Sequence, residues 1–353
     1  SAAALRIRKN VPPAPRPVPA SVPKIPIRRR QRCAGIAQPP QTKKTYEPMS
    51  TQSILVVGSS NTDMVIRTEH LPAPGETVIG GTFFMNPGGK GANQAVAAAR
   101  LGGRVAFICK TGDDLFGRQT RALFNEEGID TAHLFTDPQR PSGVALITVD
   151  AQAENCIVVA PGANAGLSPA DIRLSAEAFD AAALVLLQLE IPMETVEEAA
   201  FAAHAKGKTV VLNPAPASVL SDRLLRAVDL LTPNVSEAEA LTGITIADEA
   251  SALAAAKQLV GRGVGNVIVT LGASGALVYD GYAHEMVPAC KVQAADTTAA
   301  GDIFNGALAV ALSEGRTLVE AARFAAKASA IAVTRIGAQS SAPYRTEVEQ
   351  FRT

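Results

Sequence analysis

The sequence predicts an α/β protein built on a mostly parallel sheet, with helices on both faces and a small accessory sheet. Two observations carry that expectation. Short apolar runs of buried-strand character alternate with helical stretches of ten or more residues, and such alternation needs crossover helices and therefore parallel pairing. The alternation is also interrupted early, where two strand-like segments follow the first run with only a Pro- and Gly-containing turn between them.

The elements follow in order. SILVVG, residues 53–58, is a continuous apolar run ending in Gly, which suits a central strand buried on both faces. The globular domain is expected over residues 51–353. DMVIR (63–67) and TVIGGTFFM (77–85) are the interrupting pair, with HLPAPGE as the turn, and look like a small accessory sheet. ANQAVAAARLGG reads as a helix that stops at paired glycines. RVAFICK (104–110) then resumes as a strand, and further strands are expected at 143–149, 183–189, 208–213, 228–232 and 266–272. No internal repeat is visible.

The chain has 353 residues and is 47% hydrophobic, enough for a sizeable core in one large α/β domain. No apolar run approaches the roughly 20 residues a membrane span needs. A formal charge of zero hides an asymmetry: residues 1–46 hold eleven Lys or Arg and no acid, whereas the rest holds 22 basic and 33 acidic residues. That leading segment also has nine of the 23 prolines and no periodicity for packing, so disorder is expected over residues 1–50. An Arg-rich, acid-free leader reads as an organelle transit peptide, plastid first, with mitochondrion or cytoplasm as alternatives. A solvated basic tail is the plainer reading. A nucleic-acid arm is disfavoured by the acidic body and low aromatic content.

Cys33, Cys109, Cys156 and Cys290 are far apart with no CxxC pair, and they read as reduced core thiols. His70, His133, His204 and His284 are equally scattered, so no zinc site is expected.

In parallel sheets, ligands gather at the strands' carboxyl ends. Polar residues cluster there: Asn61 and Asp63, Glu190, Asn213, Asn234 and Glu237, then Thr270 and Gly272. Two constellations add chemistry. NPGGKGANQAVAAARLG (86–102) puts adjacent glycines, Lys90 and Asn93 at a helix entrance, where backbone can approach a ligand closely. It is not a Walker A loop, because Gly91 follows Lys90 where Ser or Thr should stand. With Asn61 and Asp63, its side chains suit sugar hydroxyls; taken alone, the loop is equally a Gly-rich turn with a solvated Lys.

The second constellation is DTTAAGDIFNGAL (296–308), in which small residues precede an amphipathic helix running toward Gly315. Helix entrances present unpaired amides and a positive dipole end, and Ala299, Ala300 and Gly301 would let a phosphate approach them. Asp302 reads either as a helix cap, for which Asp is well suited, or as a catalytic base. The dipole is expected to keep it ionised. Carboxylate, anion cradle and polyol pocket together compose a phosphoryl-transfer site.

GSSNTD, NPGGKGANQAVAAARLG, TGDD, LNPAPA, LTPNVSEAEALTG, VTLGASGA and DTTAAGDIFNGAL, in this order, resemble the ribokinases of the PfkB carbohydrate kinase family over residues 53 to about 350. The resemblance implies a ribokinase-like fold and ATP-dependent phosphorylation of the 5-hydroxyl of D-ribose. Asp302 would be the base, with Ala299, Ala300 and Gly301 as the cradle. Ribose contacts would be Asn61, Asp63, Gly89, Lys90, Asn93 and Glu190. The nucleotide would meet Asn234, Thr270, Gly272, Ser274, Gly275, Gly301 and Ala326, with Glu237 organising magnesium through water. A potassium site would use Asp296, Thr298, Ala332, Arg335, Gly337 and Ser341, largely through carbonyls. The resemblance also implies that the accessory strands form a small β-sheet lid, with strands near 62–85 and 143–160, and a homodimer through that lid, with no nucleic-acid or membrane partner.

Two positions depart from the family pattern: Ile303 replaces a small hydroxyl residue after the base, and Ala326 stands where a larger side chain often borders adenine. Rival readings are another PfkB kinase acting on fructose, deoxyribose or a nucleoside, and a non-catalytic PfkB-like binding protein.

Overall fold

The computed structural model describes residues 53–152 and 154–352. The basic leader and Cys33 lie outside the described residues. The strands are β1 (Ser53–Val57), β2 (Asn61–Arg67), β3 (Thr82–Gly88), β4 (Arg104–Gly112), β5 (Leu134–Asp137), β6 (Gly143–Val149), β7 (Asn155–Ala160), β8 (Ala182–Leu187), β9 (Thr209–Leu212), β10 (Leu230–Leu231), β11 (Asn266–Thr270), β12 (Ala276–Tyr279) and β13 (His284–Val287). The helices are α1 (Lys90–Arg100), α2 (Leu115–Glu126), α3 (Pro169–Leu174), α4 (Ala176–Ala181), α5 (Met193–Ala205), α6 (Asp222–Leu225), α7 (Val235–Thr242), α8 (Glu249–Gly261), α9 (Ala300–Ser313), α10 (Leu318–Ala332) and α11 (Arg345–Gln350). Among the described residues, no helix is long and apolar enough to cross a membrane.

The main sheet has the order β13-β12-β11-β10-β9-β8-β1-β4-β5. Pairing is parallel from β5 to β11, and antiparallel only at β11–β12 and β12–β13. Successive side chains of a strand point to opposite faces, and β1 shows why it needs apolar residues throughout. Ile54 and Val56 join one core with α1, α9 and α10, while Leu55 and Val57 join the other with α5 and α8. All four are fully buried.

The lid has the order β3-β2-β6-β7. GVALITV forms β6 over the residues expected. TVIGGTFFM does not form one strand: β3 begins only at Thr82, after Gly80 and Gly81 at φ 122° and 96°, a region strand residues do not adopt. The lid's registers put Met64, Met85, Leu146 and Val158 on one row, with Ile66 beside Phe83 on the next. This apolar face lies opposite the one that carries Asp63.

Three expectations need correction. The β12–β13 hairpin and β5 were not anticipated, and the run at 228–232 yields a strand of only two residues. Among the described thiols, only Cys109 in β4 is in the core; Cys156 in β7 is exposed and Cys290 is half-buried beyond β13. All three are unpaired.

Candidate active site

The sheet order reverses at β1, since the chain goes on to β4 on one side and to β8 on the other. A crevice opens at such a point beyond the strands' carboxyl ends. Residues leaving those ends build the site: 58–61 after β1, 188–190 after β8, Asn213 after β9 and Thr232 after β10.

The Gly-rich loop seats against the link between β1 and β2. A Cβ at Gly89, whose φ is +87°, would lie 2.7 Å from the Asn61 amide, and one at Gly91 would lie 2.7 Å from the Ser59 amide. These glycines therefore bring two backbone segments into contact, which places Asn61, Asp63, Lys90 and Asn93 around one pocket. Glu190 closes it: its Oε2 accepts from Ser59 Oγ at 2.6 Å and from the Lys90 amide at 3.0 Å. Asn61 is aimed by Asn164, whose Nδ2 donates to Asn61 Oδ1 at 2.8 Å while its Oδ1 accepts the Ser60 amide at 2.9 Å.

Helix α9 starts at Ala299, whose φ of 58° is the one positive value at a non-glycine among the described residues. No side chain caps this end. Asp302 sits in the first turn, 5% exposed, and turns away from its own helix: Asn93 Nδ2 donates to Oδ2 at 2.9 Å and Gln94 Nε2 to Oδ1 at 3.0 Å. The cap reading thus finds no supporting bond. A Cβ at Gly301 would meet nothing within 4 Å, so the space beside the first turn is open at that residue, while the Ala300 amide donates to the Thr297 carbonyl at 3.2 Å. The following Ile303 is wholly buried in the core.

Charge is concentrated here. Burial pushes the Asp302 carboxyl above its ordinary range, although Lys90 and the Asn93 and Gln94 bonds oppose it. The expected pull of the helix dipole toward the ionised form is outweighed. Burial, then the negative charges of Glu190 and Asp302, raise Asp63 to about 7. Burial works against the Lys90 ammonium, yet Asp302, Glu190 and Glu237 outweigh it and hold its pKa high. One buried cation therefore balances several carboxylates.

The nucleotide-side residues form a second group. Asn234 caps α7, accepting the Glu237 amide at 2.8 Å, and Glu237 returns the bond by accepting the Asn234 amide at 2.9 Å. Asn234 also bridges to Thr270 at the end of β11. Gly272, Ser274 and Gly275 make the turn into β12, and Gly272 has open space above it. Ala326 lies half-buried on α10, three residues from Ser329, whose hydroxyl donates to the Ala300 carbonyl at 2.9 Å. Burial, with the negative charge of Asp302, raises the Glu237 pKa against the Asn234 bond and Lys90, and among the described residues no group of three or more His, Cys, Asp or Glu could hold a metal. That suits magnesium held through water and phosphates rather than in a protein cage.

Of the remaining predicted set, Thr298 and Gly337 contact Asp296. Its Oδ1 accepts the Thr298 amide and its Oδ2 the Gly337 amide, both at 2.9 Å. Burial opposes ionisation, but these bonds prevail and hold the carboxyl below its usual range. The Arg335 amide donates to the Ala332 carbonyl at 2.9 Å, while its guanidinium pairs with Glu347 on α11. Ser341 Oγ donates to the Ala338 carbonyl. An ionised carboxylate among loop carbonyls fits a monovalent cation.

Sequence reasoning overlooked Ser59, Gln94, Asn164, Gln188, Thr232 and Asn305, which hold the others in place. Ser59 and Gln94 stood inside the motifs read. Gln94 carried a signal, because it is a polar residue on the face of α1 that also bears buried alanines.

A buried carboxylate at an open helix entrance, a hydroxyl-matching pocket and a roofing sheet define a kinase of small hydroxylated molecules. Residues 51–345 match the family described as pfkB family carbohydrate kinase. The chain belongs to that family. It is 47% identical to the ribokinase of Haemophilus influenzae over 300 residues, 85% of this chain and 98% of that protein. It is 40% identical to the deoxyribokinase of Salmonella typhi, covering 84% and 97%. Among solved structures, the Arabidopsis thaliana ribokinase complexed with ribose and ATP superimposes with a TM-score of 0.80 at 32% identity, covering 86% and 100%.

Proposed function

We propose that this chain transfers the γ-phosphoryl group of ATP to O5 of D-ribose, giving ribose 5-phosphate and ADP. The carrying observation is Asp302, a buried carboxylate held by two amides beside the open start of α9. The likeness to ribokinases over most of the chain supports the same reading.

Asn61, Asp63, Gly89, Lys90, Asn93 and Glu190 bind and orient the sugar so that O5 faces Asp302. As the bond from O5 to phosphorus forms, the bond from phosphorus to ADP breaks and the O5 proton passes to the Asp302 carboxylate. The transition state of such transfers is loose, so positioning and charge stabilisation dominate. Amides at residues 299–301 receive the equatorial oxygens. Asn234, Thr270, Gly272, Ser274, Gly275 and Ala326 hold the nucleotide. Magnesium, organised through water by Glu237, supplies charge neutralisation when bound. Potassium is assigned to Asp296, Thr298, Ala332, Arg335, Gly337 and Ser341, where it would fix the loop that leads into α9.

ADP release measured with ribose, deoxyribose, fructose and adenosine tests the assignment. Ribose is expected to give the highest kcat/KM, and parity with fructose refutes it. Deoxyribose is the second reading, favoured by the deoxyribokinase relative.

The lid's outer face supports a homodimer: Phe83, Leu146 and Val158 are each more than half exposed, and an apolar sheet face of this kind needs cover. Leu146→Asp is expected to convert a dimer to a monomer in sedimentation. Residues 1–50 are assigned to plastid targeting on their composition, and diffuse cytosolic fluorescence from a fusion of those residues refutes it.

A further inference from the structure

Behind Asp302 lies a set of buried polar side chains outside the proposed sugar and nucleotide contacts. Gln94 Nε2 donates to Asp302 Oδ1 at 3.0 Å and to Asn213 Oδ1 at 3.1 Å, while Gln94 Oε1 accepts from Gln188 Nε2 at 2.6 Å. Asn213 Nδ2 donates to the Thr232 carbonyl at 3.0 Å. Thr232 Oγ1 donates to Asn305 Oδ1 at 2.6 Å, and Asn305 Nδ2 donates to the Gly301 carbonyl at 2.8 Å. The bonds leave the first turn of α9 at Asp302 and return to that same turn at Gly301. They form a ring through α1 and the ends of β9 and β10, with Gln188 as a buttress from the end of β8.

We propose that this ring makes Gln94 a positioning residue for phosphoryl transfer, one that fixes the orientation of the Asp302 carboxylate relative to the anion-binding turn of α9. The proposal rests on the kinase reading above.

The ring has only one consistent polarity. The Asp302 carboxylate and the Thr232 carbonyl can only accept. Gln94 must therefore turn its NH₂ to Asp302 and its oxygen to Gln188, and Asn213 must turn its oxygen to Gln94 and its NH₂ to Thr232. No amide can flip without setting donor against donor or acceptor against acceptor. Gln94 and Gln188 are fully buried, and Asn213, Thr232 and Asn305 nearly so, so water does not compete for these bonds.

Stability alone does not call for such a ring. Apolar side chains of similar shape often serve a core equally well, whereas satisfied polar networks specify geometry. The ring also carries a cost: Gln188 Oε1 is buried without a partner. Gly58 is shaped to it, since a Cβ there would lie 2.0 Å from that oxygen. The first Gly of the GSSN turn is thus required by Gln188 and by the close approach of Gly91, whose Cα would lie 2.9 Å from that Cβ.

Gln94→Met keeps the length of the side chain and removes the donor. Losing a hydrogen bond to a charged acceptor moves a carboxylate's titration up by on the order of one pH unit. The acid limb of kcat is expected to rise by that amount, with kcat about tenfold lower near the limb and restored at higher pH. Ribose KM should stay within roughly threefold, because no substrate contact is lost. Gln188→Met leaves Gln94 in place but frees its amide, and is expected to shift the limb the same way by less.

The carboxyl ¹³C titration of Asp302 in the ligand-free protein, assigned by its absence in Asp302→Asn, reads the ring without turnover. An unmoved titration and limb in folded Gln94→Met overturn the proposal, as does a kcat loss that is uniform in pH and tracks a lower Tm. If Gln94→Met does not fold, Gln188→Met decides by the same criteria. A wild-type protein that phosphorylates no ribose refutes the proposed function instead, and the titration still tests the ring.

Discussion

Asp302→Asn separates the proposed base from the architecture that holds it. The amide keeps the shape of the carboxylate and one acceptor for the two donors, Asn93 Nδ2 and Gln94 Nε2. Its new NH₂ also has a partner at hand, because Asn93 Oδ1 is buried and unpartnered and can turn toward it. The fold should therefore survive. Loss of a general base costs about 10²- to 10⁴-fold in turnover, or roughly 3–5 kcal/mol on the barrier.

Stability moves the other way. A carboxyl whose folded pKa is raised contributes stability below its ordinary pKa, and that contribution is lost as pH climbs through the raised value. Burial raises Asp302, so the variant should match or exceed the parent's Tm at pH 8 and lose that advantage near pH 4. Saturating ADP-release assays and thermal melts at both pH values check this. Turnover within threefold of the parent, with ribose affinity intact, refutes the assignment of the base; a Tm loss that accompanies the activity loss refutes the argument that burial disfavours the charge.

Three other outcomes follow from the same geometry. Lys90→Met removes the cation facing Asp302, Glu190 and Glu237 and is expected to lower kcat/KM for ribose by on the order of 100-fold while moving its acid limb upward, as read from a pH series. In the parent, kcat/KM should fall as pH drops below about 7, where Asp63 takes up its proton; Asp63→Asn should flatten that limb and gain more Tm over the parent at pH 8 than at pH 5. Gly58→Ala sets a Cβ 2.0 Å from Gln188 Oε1 and 2.9 Å from Gly91 Cα, and should cost about 1–3 kcal/mol in a denaturant melt.

The central sheet was legible because a strand buried on both faces must be apolar at every position, as β1 is. The lid strand β6 was legible for its length and its β-branched residues. What escaped had weaker local signals. Strands β12 and β13 are four residues each, and their mark was the Asp280-Gly281 pair between two apolar runs, a hairpin signal that went unused. The Ile79 side of TVIGGTFFM failed because periodicity does not register two glycines at positive φ.

In the site, the residues expected to meet ligand stood in motifs, whereas Asn164 and Gln188, among those that hold them, did not. Asn164 and Asn305 look like ordinary polar residues in sequence, and only the fold brings Asn164 to Asn61 and Asn305 to Gly301. Asp302 illustrates a further limit. Its position at a helix entrance was readable, but whether burial or the helix terminus governs its charge depends on what packs over it. The structure supplies α1, with Asn93 and Gln94.

The central claim is that this pocket aligns O5 of ribose with Asp302 for transfer from ATP. The most direct measurement is ³¹P and ¹H NMR of the product formed from D-ribose and ATP, with initial rates taken alongside on deoxyribose, fructose and adenosine. The account predicts one ADP per ribose 5-phosphate, the phosphorus coupled to the C5 protons, and the highest kcat/KM on ribose. Phosphate at another carbon, or equal efficiency on fructose or adenosine, contradicts it.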